Sequence, residues 1–202
     1  MFILMGFLLT GVKFEPTSLV DLKGKWTVGL RMSSLLIFSG YSVLWRPWKT
    51  VMVGIEGSNP SAEKGRRKRK DSGSGSGSGS ESGSGSVGIG VHKYFRAHSS
   101  FSPFIALSPR FSMNYQYYDG TEWREYSSRT YEASVESGVE YFFTLYSKQM
   151  SIKVKTSLVS ASQVYTEIKN FYGETYSSDV SNKVSFNLPT SGSLSTWLCF
   201  HF

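Results

Sequence analysis

The chain has 202 residues, with aromatics at 15%, 20 glycines and a formal charge of +7. That length holds one ordinary domain or a small barrel with large loops, and a Tyr-, Phe-, Gly- and Ser-rich composition favours strands over helices. Six of the positive charges sit in one run, Lys64 to Lys70, which argues against a spread nucleic-acid surface, and a lone Cys199 excludes an intramolecular disulfide framework or a Cys-rich zinc site.

Residues Met1 to Val12 (MFILMGFLLTGV) are apolar, but no basic residues precede the run and no small-x-small cleavage pattern follows it. At about twelve residues it is too short to cross a bilayer as a helix. Residues 1–22 are therefore expected to be a degenerate or truncated leader, or the result of a misplaced start; a buried first strand ranks behind both. From Lys25 the residues alternate. Trp26, Val28, Leu30 and Met32 take one face against Lys25, Thr27, Gly29 and Arg31, which predicts a strand with a polar inner side. After a short connection at Ser33-Ser34, a second strand is predicted from Leu35, Ile37, Tyr41, Val43 and Trp45, ending in a turn at Arg46-Pro47-Trp48-Lys49. A third, Thr50 to Glu56, points Val51, Val53 and Ile55 outward.

Ser58 to Ser86 is different material: Asn59-Pro60, the basic run, then a Ser-Gly repeat interrupted by Glu81. Such a stretch buries too little apolar surface to offset its ordering entropy, so a flexible loop is expected at 58–86. Alternation resumes at Val87, Ile89, Val91 and Phe95, turns at His98-Ser99-Ser100, and continues with Ile105, Leu107, Phe111, Met113, Tyr115 and Tyr117 outward. A polar loop follows to about Ser127, opened by Asp119-Gly120.

Tyr131, Ala133, Val135, Val139, Tyr141 and Phe143 then alternate with Glu132, Ser134, Glu136, Gly138 and Glu140. On the returning strand Ile152, Val154, Thr156, Leu158 and Val164 are expected outward, with Ser151, Lys153, Lys155 and Ser157 inward. A turn centred near Tyr146 and Ser147 would set Glu140 opposite Lys153, a favourable cross-strand pair. A loop from Glu167 to Asp179 leads to a final strand, Val184 to Phe202. Its apolar row includes Val184, Phe186, Leu188, Leu194, Leu198, Phe200 and Phe202. Alternation this long suits a tilted strand crossing a bilayer, which needs about nine to eleven residues in the hydrocarbon.

The reading is an all-β, antiparallel up-and-down transmembrane barrel of about eight strands, with short turns near Pro47, Ser99 and Tyr146, long connections at 58–86, 118–127 and 167–179, and aromatics at the strand ends. A Lys-Gly-Lys-Trp start at Lys23, the run Gly138 to Phe143 and the closing run Ser193 to Phe202 resemble small OmpA-like outer-membrane β-barrel proteins of Gram-negative bacteria, over roughly residues 23–202. The resemblance implies a monomer in the bacterial outer membrane. Its partners would be outer-membrane lipid, lipopolysaccharide and the assembly machinery, with Leu198, Phe200 and Phe202 as the assembly signal.

Arg31, Arg110, Glu136, Glu140, Lys153 and Lys155 are expected as a paired charge network filling the lumen, since an eight-stranded barrel is just wide enough for side chains; a gated ion path is the alternative. Glu136 and Glu140 could also serve as hydrolytic carboxylates, a role disfavoured by basic neighbours. His92, His98 and His201 lack metal-ligand spacing, and neither a nucleophile elbow nor a phosphate loop occurs, so no metal, cofactor or catalysis is expected. Arg66, Arg67, Lys68, Arg69 and Lys70 are a candidate polyanion-binding loop, attracting anions by charge and not specific for nucleic acid. Two other readings compete with a structural or surface-interaction role. An enzyme at the loop rim would draw on Asp119, Glu122, Glu125 and Glu174, whereas a soluble ligand-binding barrel would turn Phe111, Met113 and Val135 inward.

Overall fold

The computed structural model describes residues 14–22, 25–32, 38–67, 78–119, 124–170, 174–186 and 194–202. Every regular element among them is a strand: β1 (Phe14–Pro16), β2 (Trp26–Met32), β3 (Phe38–Trp48), β4 (Val51–Arg67), β5 (Ser78–Tyr94), β6 (Phe101–Asp119), β7 (Arg124–Leu145), β8 (Lys148–Asn170), β9 (Thr175–Phe186) and β10 (Ser195–His201). Antiparallel neighbours from β2 through β8, then β10 and back to β2, close an eight-stranded barrel. Closure leaves no open sheet edge around that ring, which is why strands can wall a membrane pore at all.

Alternation sets the two faces. Val43, Ile55, Ile89, Val91, Ile105 and Leu107 point outward and are exposed, while Ser42, Leu44, Met52, Glu56, His92 and Ala106 on the same strands are buried inside. Phe111, Met113 and Val135 belong to the outer rows, the reverse of what a soluble ligand carrier requires. Aromatics border this belt at both ends: Trp26, Trp45, Trp48 and Phe95 toward the turns, Tyr131 and Tyr165 toward the loops.

Four expectations need correction. The flexible loop at 58–86 is for the most part a hairpin: Ser58 pairs with Ser86, and the ladder runs from Ser61–Ser84 to Arg67–Ser78. Composition misleads here because β5 is hydrogen-bonded on both sides, to β4 and β6, and its backbone groups are satisfied without apolar side chains. Serine hydroxyls reinforce the rungs, Ser61 to Ser84 at 2.8 Å and Ser86 to Ser58 at 3.0 Å. Likewise, β6 and β7 extend to Asp119 and from Arg124, and β8 and β9 to Asn170 and from Thr175, so the connections expected at 118–127 and 167–179 are much shorter.

The final strand is the second correction. It divides into β9, which lies along the loop half of β8, and β10, which lies along the turn half. Three residues of β8, 156–158, span the interval between the Lys155–Ser195 and Val159–Phe186 rungs, whereas eight residues separate Phe186 from Ser195 in the sequence. Third, β8 carries a bulge. Glu136 pairs with Ser157 and the adjacent Val135 with Val159, so Leu158 is an extra residue that shifts the parity. Val159 and Ala161 take the outward positions beyond it, and Val164 falls opposite inward-facing Thr130.

Fourth, the folded unit, expected from residue 23, includes residues 14–22. β1 pairs with the end of β7, Phe14 with Leu145 and Pro16 with Phe143. The next residues cross the turn-side mouth and bury Leu19 and Leu22 against Leu44, Tyr94, Ala97 and Phe142. Residues 1–13 of the leader expected at 1–22, the Ser33-Ser34 connection, and Leu35 and Ile37 of the expected second strand lie outside the described residues.

The β7–β8 hairpin turns on Tyr146 and Ser147, both in the left-handed region (φ 47° and 63°), as a two-residue hairpin of matching twist requires. On its inner face Gly138 makes room for the lumen: an added Cβ would lie 2.3 Å from the Val154 carbonyl oxygen and 2.7 Å from the Phe104 ring. Gly138→Ala is therefore expected to cost about 1–3 kcal/mol by overpacking. The check is a lower temperature for loss of the fast-migrating folded band in detergent electrophoresis.

Candidate functional site

The inner face of the turn half is a stack of layers. At the bottom the segment from Thr17 to Leu22 forms a bung, hydrogen-bonded from Thr17 N to Phe142 O at 3.2 Å and from Val20 N to Ala97 O at 3.0 Å. Arg46, projecting inward from β3, donates to the carbonyl of Leu19 and, at 2.7 Å, to that of Leu22. These carbonyls have no strand partner, so the guanidinium fork supplies the hydrogen bonds that burial demands.

Above the bung lies Glu140, fully buried on β7. Its carboxylate accepts from Tyr94 OH at 2.5 Å and from the Ser151 hydroxyl, and Lys153 Nζ stands at 3.5 Å. Glu140 and Lys153 face each other across the β7–β8 ladder. His201 extends the layer, with Nε2 at 2.9 Å from Ser151 Oγ and Nδ1 at 2.9 Å from Thr27 Oγ1. Lys153 also lies over the Phe104 ring, 5.7 Å from its centroid.

The second ionic layer centres on Lys155. Its Nζ is 2.5 Å from Glu56 and 2.7 Å from Glu136. Glu136 also accepts from Ser108 at 3.0 Å, and Glu56 has His92 Nε2 at 3.0 Å, the imidazole stacked on Phe104. Lys155 borders the Trp197 ring at 5.3 Å. The two layers hold three buried carboxylates, Glu56, Glu136 and Glu140, against two lysines. Charges at this depth persist only when paired and hydrogen-bonded, and each carboxylate here has a cation within 3.5 Å.

Of the residues singled out in the sequence, Glu136, Glu140, Lys153 and Lys155 converge. Arg31 and Arg110 do not: Arg31 is in register with Trp197 and Gly40, Arg110 with Glu132 and Gly88, and both are half-buried outside the cluster. Sequence reading placed Ser151 inward but did not join it, Tyr94 or His201 to the charge network, and it missed Glu56 and the bung. Glu56 could have been found, since it holds the inward parity opposite Val51, Val53 and Ile55.

Glu136 and Glu140 are buried, and each has a lysine ammonium within 3.5 Å. Among the described residues no group of three or more His, Cys, Asp or Glu could hold a metal ion. Of the rim acids, Glu125 accepts from Tyr117 OH at 3.4 Å and Glu174 from Asn170 at 3.1 Å, while Asp119 ends β6 and Glu122 lies outside the described residues.

Arg66 and Arg67 fall on β4, in register with Gly79 and Ser78; Lys68, Arg69 and Lys70 lie outside the described residues. Leu198 and Phe200 face outward on β10, in register with Leu30 and Ile152 and with Val28 and Met150. Phe202 exchanges two backbone hydrogen bonds with Trp26, at 2.8 and 3.1 Å.

Two solved structures are similar to this chain. Acinetobacter baumannii CarO2 shares 7% identity at a TM-score of 0.33, covering 94% of this chain and 100% of that one. Acinetobacter baumannii CarO shares 7% identity at 0.32, covering 89% and 97%. No protein-family model and no curated protein matches the chain.

Proposed function

We propose that this protein is a monomeric barrel of the bacterial outer membrane, with a structural or surface-interaction role and neither catalysis nor transport. The observation that carries the reading is the inverted polarity of the wall: outside, an apolar belt between aromatic borders; inside, buried Glu56, Glu136, Glu140, Lys153 and Lys155. A water-soluble barrel has no reason to expose Ile55, Ile89 and Leu107 while burying ion pairs, whereas a lipid solvent rewards that arrangement. The bung and both ionic layers occupy the lumen, which argues for a closed wall and against a pore.

On this reading lipid and lipopolysaccharide surround the belt, the assembly machinery reads Leu198, Phe200 and Phe202, and the run Arg66 to Lys70 meets anionic surface polymers by charge alone. Detergent dependence tests the membrane assignment directly. The folded protein is expected to need detergent, to migrate differently before and after boiling, and to give no conductance steps in planar bilayers. A folded monomer that stays soluble without detergent would overturn the assignment, and steady conductance would overturn the sealed lumen.

A further inference from the structure

The ring closes on the turn half only. Past the Lys155–Ser195 rung, β8 takes β9 as its neighbour in place of β10, and β9 has no second neighbour among the described residues. Past the Gly40–Ser58 rung, β4 likewise pairs with β5 alone, so the loop half is a sheet with two edges, β4 and β9.

The two edges differ. β4 is guarded by its own sequence: a bulge falls between Ser58 and Ser61, Pro60 lacks an amide donor, the Asn59 amide donates to the Phe38 carbonyl at 2.7 Å, and Lys64, Arg66 and Arg67 follow. β9 has no proline, and its ladder runs unbroken from Ser177 to Phe186 with every residue but Ser185 exposed. Val180 N–H donates to the Asp179 carboxylate at 2.8 Å and so is turned away from β8. Alternate residues of an antiparallel ladder point both backbone groups to the same side, so Ser178, Val180, Asn182, Val184 and Phe186 face the open side. Tyr165, at the loop-side aromatic border, is in register with Val180. Val184 and Phe186 thus lie on the membrane side of that border, where lipid cannot satisfy a free N–H or C=O.

We infer that the β9 edge takes one extended segment of another polypeptide as an added strand, with apolar side chains on its outer face beside Val180, Val184 and Phe186 and a carboxylate on its inner face beside Lys183. Main-chain pairing of this kind supplies affinity, and alternate side chains choose the partner. Val180, Val184 and Phe186 form an exposed apolar row along the edge. Lys183 is exposed on the inner row opposite Ser162 and makes no ion pair among the described residues. The inner-face acids around it are Glu132, two strands across and in register with Arg110, and Asp179, four residues along and about 13 Å away. An acid on the added strand would meet Lys183 directly, a favourable cross-strand pair. A second copy does not fit: two barrels upright in one membrane run β9 in the same direction, and symmetric parallel pairing sets Lys183 beside Lys183.

This edge is the contact surface of the surface-interaction role proposed above, and it rests on the membrane assignment. The test uses the full chain, folded in detergent and verified by heat-modifiable migration, with a fluorescent ten-residue peptide that alternates valine with threonine and carries glutamate in place of one central threonine. Saturable binding by fluorescence anisotropy is expected, with hydrogen exchange slowed at the amides of Val180, Asn182 and Val184. The peptide with lysine in place of glutamate should bind about tenfold more weakly, a difference of about 1.4 kcal/mol, and Lys183→Glu should reverse that order. Asn182→Pro, which removes a donor facing the open side and leaves the β8 ladder intact, should abolish binding without altering migration. Absence of binding, no protection at those amides, equal affinity for both peptides, retention by a folded Asn182→Pro protein, or cross-linking of two copies through β9 would overturn the inference. Failure to fold in detergent at all would instead count against the membrane assignment.

Discussion

Lys155→Met is expected to destabilise the folded barrel by about 3–5 kcal/mol, the range for removing one partner of a buried ion pair. Lys155 is the shared cation of Glu56 and Glu136, at 2.5 and 2.7 Å, and both carboxylates are buried. Removing it leaves Glu136 with only the Ser108 hydroxyl and Glu56 with only His92 among these contacts. Methionine keeps most of the stem volume, so the loss isolates charge from packing. Urea titration of the heat-modifiable band provides the measurement. If stranded charge is the cause, combining Lys155→Met with Glu56→Gln and Glu136→Gln should recover most of the loss, because replacing a whole buried network is far milder than breaking it. An unshifted midpoint for the single variant would mean that the lysine is not the counter-ion the geometry makes it.

The second large effect belongs to the closing seam. Leu198 faces outward at the centre of β10, flanked by Leu30 and Ile152. Arginine on a lipid-facing strand costs about 2–4 kcal/mol near the membrane midplane. The β2–β10 ladder has six paired positions, Thr27–His201 to Met32–Thr196, and it is the contact that shuts the ring. Leu198→Arg should therefore yield predominantly unfolded, slowly migrating protein, while Leu198→Ile should assemble normally. Wild-type insertion of the arginine variant would show that this face does not meet lipid.

Period-two alternation was enough to assign the faces of β2, β3, β6 and the turn halves of β4 and β5, because a strand between lipid and lumen carries apolar residues on one parity there. It also placed Glu140 opposite Lys153, since a two-residue turn at Tyr146 and Ser147 fixes the register of its hairpin. Alternation fails where the register shifts: Leu158 adds one residue to β8, and Val164 changes face. Nor can it show which inward residues meet across the lumen. Glu56 and Lys155 are 99 residues apart on strands that are not neighbours, so no local pattern connects them. Ser78 to Ser86 has no apolar signature because both its neighbours are strands, and Leu19 with Leu22 are only two leucines in an irregular segment.

The Glu56–Lys155 pair also has a mechanical meaning. In the ring of eight, β4 and β8 are four positions apart by either route, so this contact is a strut across the diameter. A cylinder braced that way resists being flattened into an ellipse, and its wall cannot be unzipped at one seam while the opposite side stays unaware. Lateral pressure from the bilayer is carried by the interior as well as by the hoop of backbone hydrogen bonds.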